Sequence, residues 1–118
     1  MADLDAVEAR IWELLAPYRS ELEDATIYSM PSLRWPGAKG HDYFAALQRN
    51  AKKVSLYVIA VDTWPEALDG SSEAFVKRRT GKATFSFPAL DDEMAAQLEA
   101  FLARLYVPYR AHHSGEAG

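Results

Sequence analysis

Near the end of the chain Met94, Leu98, Phe101, Leu102 and Leu105 recur at three- and four-residue spacing, a continuous apolar stripe that a helix must bury against something. Asp91 or Asp92 is placed to cap this helix, and Pro108, which has no backbone N–H to donate, is expected to stop it. A second stripe, Leu4, Val7, Ile11, Leu14, Leu15 and Tyr18, predicts an N-terminal helix capped by Asp3 and ended near Leu15 or Ala16 by Pro17. Two one-sided helices need an apolar partner surface, and the residues between them supply the pattern of one.

From Thr26 to Trp35 the side chains favour extended backbone, with Pro31 implying an edge, a bulge or a bend, and Pro36-Gly37 closing the run as a turn. Tyr43 to Gln48 and Val54 to Val61 follow, separated by Arg49-Asn50-Ala51-Lys52-Lys53, the spacing of an antiparallel hairpin. Along the second run Val54, Leu56 and Val58 alternate with Ser55, Tyr57, Ile59 and Val61, so both faces are apolar enough for a central strand. Thr63 is placed to cap a turn at Pro65, a short helix is expected through Phe75 and Val76, and Gly81 opens a strand to Phe87. This order predicts an α+β fold: an antiparallel sheet of about five strands with the N- and C-terminal helices packed on it. Residues 1–110 are expected to form one domain and 111–118 a flexible tail.

The chain has 118 residues, 49% of them hydrophobic, enough for one core. It has no cysteine, which excludes disulfides, thiolate metal sites and a thiol nucleophile. No basic leader and no apolar run near the roughly 20 residues of a membrane span are present, so a cytoplasmic protein without membrane contact is expected. The charge of −4 is unevenly spread. Residues 1–33 carry two basic and seven acidic side chains, 34–82 nine and five, and 83–118 two and five. A basic middle between acidic ends implies a polarised surface.

No catalytic constellation stands out. Gly81-Lys82-Ala83-Thr84 lacks the upstream glycine and following helix of a phosphate loop, Ser29 has no base marked near it, and His41 and His112-His113 match no zinc motif. Lys77-Arg78-Arg79 with Lys82 reads as a solvated basic face, and no nucleic acid is expected as partner. The remaining candidate is aromatic: Tyr28, Trp35, Tyr43, Phe44 and Tyr57 with Met30 beside them and Arg34 or Lys82 at the rim, a set that reads first as core packing but is able to line a pocket for an anionic small molecule or a protein partner. Hard oxygen ligands for a metal are offered by Asp91, Asp92 and Glu93, and by Glu21, Glu23 and Asp24, although helix capping is the simpler explanation of the first trio. Trp12 and Trp64 are surplus apolar groups suited to a homodimer contact.

Four segments in order, Ala25-Thr26-Ile27-Tyr28-Ser29-Met30-Pro31-Ser32-Leu33, Tyr43-Phe44-Ala45-Ala46-Leu47, Val54-Ser55-Leu56-Tyr57 and Thr80-Gly81-Lys82-Ala83-Thr84-Phe85-Ser86-Phe87, resemble the YdhG-like family, a bacterial group of small domains without an agreed function. The resemblance spans roughly residues 10–106. It implies a compact α+β fold compared with that of frataxin, directs attention to Tyr28-Ser29-Met30-Pro31 and Tyr57, and offers an alternative function, an intracellular iron chaperone, with iron as the only cofactor in view. The acids of the first helix, Asp5, Glu8 and Glu13, are spread over a wide arc and do not form the ridge seen in frataxins.

Overall fold

A computed structural model describes residues 4–27, 30–37, 43–81 and 83–114, the Ser114 side chain excepted. Its elements run α1 (Leu4–Leu15), β1 (Glu23–Ile27), β2 (Met30–Arg34), β3 (Ala45–Arg49), β4 (Val54–Tyr57), α2 (Ala60–Thr63), α3 (Glu73–Val76), β5 (Thr84–Phe87) and α4 (Asp92–Ser114), with 3-10 turns at Ala16–Tyr18 and Pro65–Leu68. The five strands form an antiparallel meander in sequence order, and the terminal helices lie against each other on one face of it. This is the expected α+β architecture.

The two-residue period of the strands sorts their side chains. Leu33, Leu47, Val54, Leu56, Phe85 and Phe87 share one core with Val7, Ile11 and Leu15 of α1 and Leu98, Phe101, Leu102 and Leu105 of α4. Each such side chain contributes about 1.5–3 kcal/mol by leaving water. The opposite face carries small residues, Ser32, Ala46, Ser55 and Ser86, and a minor cluster of Met30, Tyr43 and Ala46 packed with Ile27, Tyr57 and Ile59.

Local chemistry accounts for the joints. Asn50 closes the β3–β4 hairpin, its Oδ1 accepting the amides of Lys52 at 2.8 Å and Lys53 at 2.9 Å. Asp91 caps α4 by accepting the Met94 amide at 2.8 Å. The free side of β5 is covered by the chain that precedes it: the Ser86 amide donates to the Arg78 carbonyl at 2.8 Å and the Thr80 amide to the Thr84 carbonyl at 2.9 Å. The basic triplet thus seals an edge, with Lys77 beside Glu73 at 3.6 Å. No described residue pairs with the outer side of β1.

Several expectations are corrected. The extended run Thr26–Trp35 is a hairpin whose first strand begins at Glu23, and Tyr28 and Ser29 fall outside the described residues. Pro31 therefore sits in the second strand of the sheet. Leu33 accepts from the Phe44 amide on the β3 side, so by period two the missing amide of Pro31 also faces β3, where the register reaches only Ser32 and Leu33. The predicted strand Val54–Val61 stops at Tyr57, and the Val61 amide donates back to the Val58 carbonyl at 3.0 Å as the chain turns into α2. An apolar run of that length fits a buried strand and a buried turn alike. Thr63 belongs to α2, and the turn at Pro65 has no side-chain cap.

The largest correction concerns α4, which does not stop at Pro108 but runs 23 residues to Ser114. Tertiary anchors flank the proline. Tyr106 donates to Glu21 at 2.8 Å, Arg110 pairs with the same carboxylate at 2.9 Å, and the Tyr109 hydroxyl accepts the Trp35 amide at 3.0 Å. Residues 111–113, assigned to a tail from sequence, are helical, and 115–118 lie outside the described residues.

The Glu21 clip predicts a pH profile. Hydrogen bonds from Arg110 and Tyr106 hold the Glu21 carboxyl below its usual range, while burial and the Glu21 contact raise the Tyr106 phenol. The depressed acid contributes stability above the ordinary carboxylate pKa that is lost on acidification through its lowered value. The raised phenol contributes stability in full below pH 10.0, declining as pH rises beyond it. Tyr106→Phe is expected to flatten the alkaline limb of a urea-denaturation series between neutral pH and pH ~11. An unchanged limb refutes the assignment.

Candidate functional site

Pro65 disfavours helical backbone at the residue before it, so α2 ends at Trp64, which takes φ −124° and ψ 66° while its amide closes on Ala60. That stop delivers the Trp64 ring toward the last turn of α4. The continued helix brings Tyr109, His112 and His113 to the same place, and the segment leading into β3 adds Tyr43. Together with Ile59, Ala60 and Thr63 they enclose a cavity of about 550 Å³.

Its walls are rings in mutual contact. Trp64 meets His112 edge to face at 5.8 Å and 62°, Trp35 stacks on His113 at 6.2 Å and 16°, and Tyr109 lies 4.5 Å from His113. Tyr109 also packs on Phe44 at 5.1 Å, tying this wall to the main core. Burial, with a smaller contribution from Tyr57, raises the Tyr43 phenol, so it stays a neutral hydrogen-bond donor at physiological pH. Among the described residues no Asp, Glu, Lys or Arg lines the cavity.

Of the ligand residues expected from sequence, Met30, Tyr43 and Tyr57 come together in the outer cluster of the sheet, and Tyr43 reaches the cavity as well. Tyr57 donates to Gln48 at 3.1 Å. Trp35 supports the cavity through His113. Arg34 stands apart, its Nε donating to Glu23 at 3.1 Å. Tyr28 and Lys82 lie outside the described residues, as does His41. Sequence reasoning set His112 and His113 aside as tail residues and missed Tyr109 altogether. The signal was present, since Tyr109 continues the stripe four residues beyond Leu105.

Five of the six carboxylates offered for metal, all but the exposed Glu93, are otherwise engaged, Glu23 by Arg34 as above. Asp91 caps α4, Asp92 pairs with Arg10 at 3.3 Å, Asp24 with Arg19, and Glu21 with Arg110. Among the described residues no three His, Asp or Glu gather where they could hold a metal ion. Trp12, a dimer candidate by sequence, lies 5.1 Å below the Arg19 guanidinium. A second depression, of about 570 Å³, runs between α1 and residues 89–91; its walls are mainly Ala6, Val7, Ala9 and Leu90, and Arg10, which also lines it, is the partner of Asp92. Among the described residues no helix is long and apolar enough to cross a membrane.

No family model, curated protein or solved structure matches this chain.

Proposed function

We propose that this chain is a small binding or accessory protein of YdhG-like type whose ligand occupies the cavity between α2 and the last turn of α4. One observation carries the reading: Tyr43, Trp64, Tyr109, His112 and His113, drawn from three separate parts of the chain, converge on one concave space. Apolar and aromatic walls with a few hydrogen-bonding groups are the usual construction of a small-molecule site, and 550 Å³ lies within the usual size range. The site thus moves from the aromatic sheet face suggested by sequence to the margin of that face, with Tyr43 common to both. The alternative of a ferrous carrier through Asp91, Asp92 and Glu93 has only the family resemblance behind it.

The test is a mixed fragment library screened by two-dimensional NMR. Hits are expected to shift Trp64, His112 and Tyr43 together, and Trp64→Ala is expected to weaken them about tenfold. Hits that gather elsewhere, or an unchanged affinity in Trp64→Ala, reject this placement.

A further inference from the structure

We propose that β1 is a self-pairing edge, through which two copies of this chain join about a two-fold axis at Ala25. The direction of the backbone groups follows from the register. Leu33 bonds toward β3, so by period two Ser32 and Arg34 bond toward β1, where their partners are Ala25 and Glu23. The alternate residues of β1, Asp24 and Thr26, therefore aim their amides and carbonyls away from the sheet. Those groups have no partner among the described residues, and both residues are exposed.

Geometry, charge and space fit this edge to a copy of itself. β1 spans Glu23–Ile27, so Ala25 is its midpoint and the two outward-bonding residues stand symmetrically on either side. An antiparallel copy laid across that midpoint sets Asp24 of each chain opposite Thr26 of the other, and each such pair exchanges both of its backbone hydrogen bonds. In this register no carboxylate faces a carboxylate: Asp24 meets a threonine, Glu23 meets Ile27, and each acid keeps its own cation, Arg19 for Asp24 and Arg34 for Glu23. Centring the axis on Asp24 would instead set two carboxylates face to face. A depression of about 360 Å³, lined by Trp12, Arg19, Asp24, Ala25, Pro31 and Ser32, opens beside β1 on the helix side, so the helix layer stands back where the second copy's Thr26 and Asp24 side chains arrive. The other edge of the sheet is engaged within its own chain, since Ser86 donates to Arg78 and Thr84 accepts from Thr80. Of the two edges a second copy presents, β1 is thus the one that can pair with β1.

The test is made on the full chain. Sedimentation of the unaltered protein from about 10 µM to about 1 mM is expected to pass from monomer to dimer with a Kd on the order of 10⁻⁴ M, as suits a small interface. The amides of Asp24 and Thr26 are expected to exchange more slowly with solvent as the dimer forms. Thr26→Pro removes an amide that points away from β2, so the ladder within the chain is kept; it is expected to weaken the dimer at least about tenfold, and Thr26→Ala to leave it unchanged. The chain has no cysteine, so Ala25→Cys places a lone thiol on the axis, where paired Cα atoms lie about 4.5 Å apart, within reach of a disulfide. Under mild oxidation it is expected to form covalent dimers about tenfold faster than Thr26→Cys or Lys52→Cys, the latter exposed on the β3–β4 turn. A chain that stays monomeric throughout the series overturns the proposal and leaves β1 to a strand from another protein. Dimers that persist undiminished in Thr26→Pro, or thiols that couple no faster at Ala25 than at Lys52, overturn it by placing the contact elsewhere. Faster coupling at Thr26 than at Ala25 overturns the position of the axis.

Discussion

Phe101→Ala is expected to lower the unfolding free energy by about 3–5 kcal/mol, a large part of the 5–15 kcal/mol typical of a whole domain. Phe101 is fully buried at the middle of α4 and closes a triangle of rings with Phe75 and Phe85, whose centroids lie 5.3 and 5.2 Å from its own. Phe75 stacks on Phe85 at 5.2 Å. The three rings come from α4, α3 and β5, so one side chain couples the helix layer, the short α3 segment and the last strand. Neighbours held by other bonds cannot collapse into the space an alanine leaves. Ser72 caps α3 and donates its amide to Gln97 at 2.8 Å, and Arg104 holds the Ala67 carbonyl at 2.8 Å. Guanidinium denaturation followed by circular dichroism measures the loss. Phe101→Leu, which keeps most of the volume, should cost less than about half as much. A loss under about 1 kcal/mol for the alanine variant contradicts the rigidity argued for this cluster.

Pro108→Ala is expected to change stability in the opposite direction, raising it by on the order of 2 kcal/mol. Proline in a helix interior deprives the carbonyl four residues earlier, here Arg104, of its donor, and its ring crowds that carbonyl. Alanine restores the amide. Part of the gain, about 0.5–1 kcal/mol, is returned because the unfolded chain becomes freer. Pro108 is only half-buried, so little packing is lost. Far-UV circular dichroism is expected to keep its helix signal while the denaturation midpoint rises. A fall in the midpoint of the alanine variant would mean that the native geometry of the last turns has been fitted to the proline, and would reject this account.

These two residues also show what could be read in advance. Phe101 belongs to a stripe with strict helical spacing, and hydrophobic period decides most of this fold: the terminal helices, the β3–β4 hairpin and β5 all follow it. Local rules failed where distant contacts outweighed them. Pro108 is a sound stop signal taken by itself, yet Tyr106, Tyr109 and Arg110 each gain a partner from the far end of the chain, which no window around the proline contains. β1 was hidden because Glu23 and Asp24 look like loop residues, and their partners Arg34 and Arg19 become visible only in three dimensions. The same long-range effect hid half of the cavity. Tyr43 and Trp35 were legible as aromatics on extended backbone, whereas His112 depends on a helix that the local rule had ended. Trp64 was noticed only as surplus apolar surface, because the stop imposed by Pro65 becomes a wall only when α4 arrives beside it.

The two margins of the sheet give the molecule a valence. β5 has spent its outer hydrogen bonds on residues 78–80, while β1 has no neighbour beyond it among the described residues. Among the described residues, strand addition is therefore open on one side only. Two copies joined through β1 would leave a sealed margin at each end of a continuous ten-stranded sheet, so self-association by this route terminates at a pair and cannot propagate into a fibre.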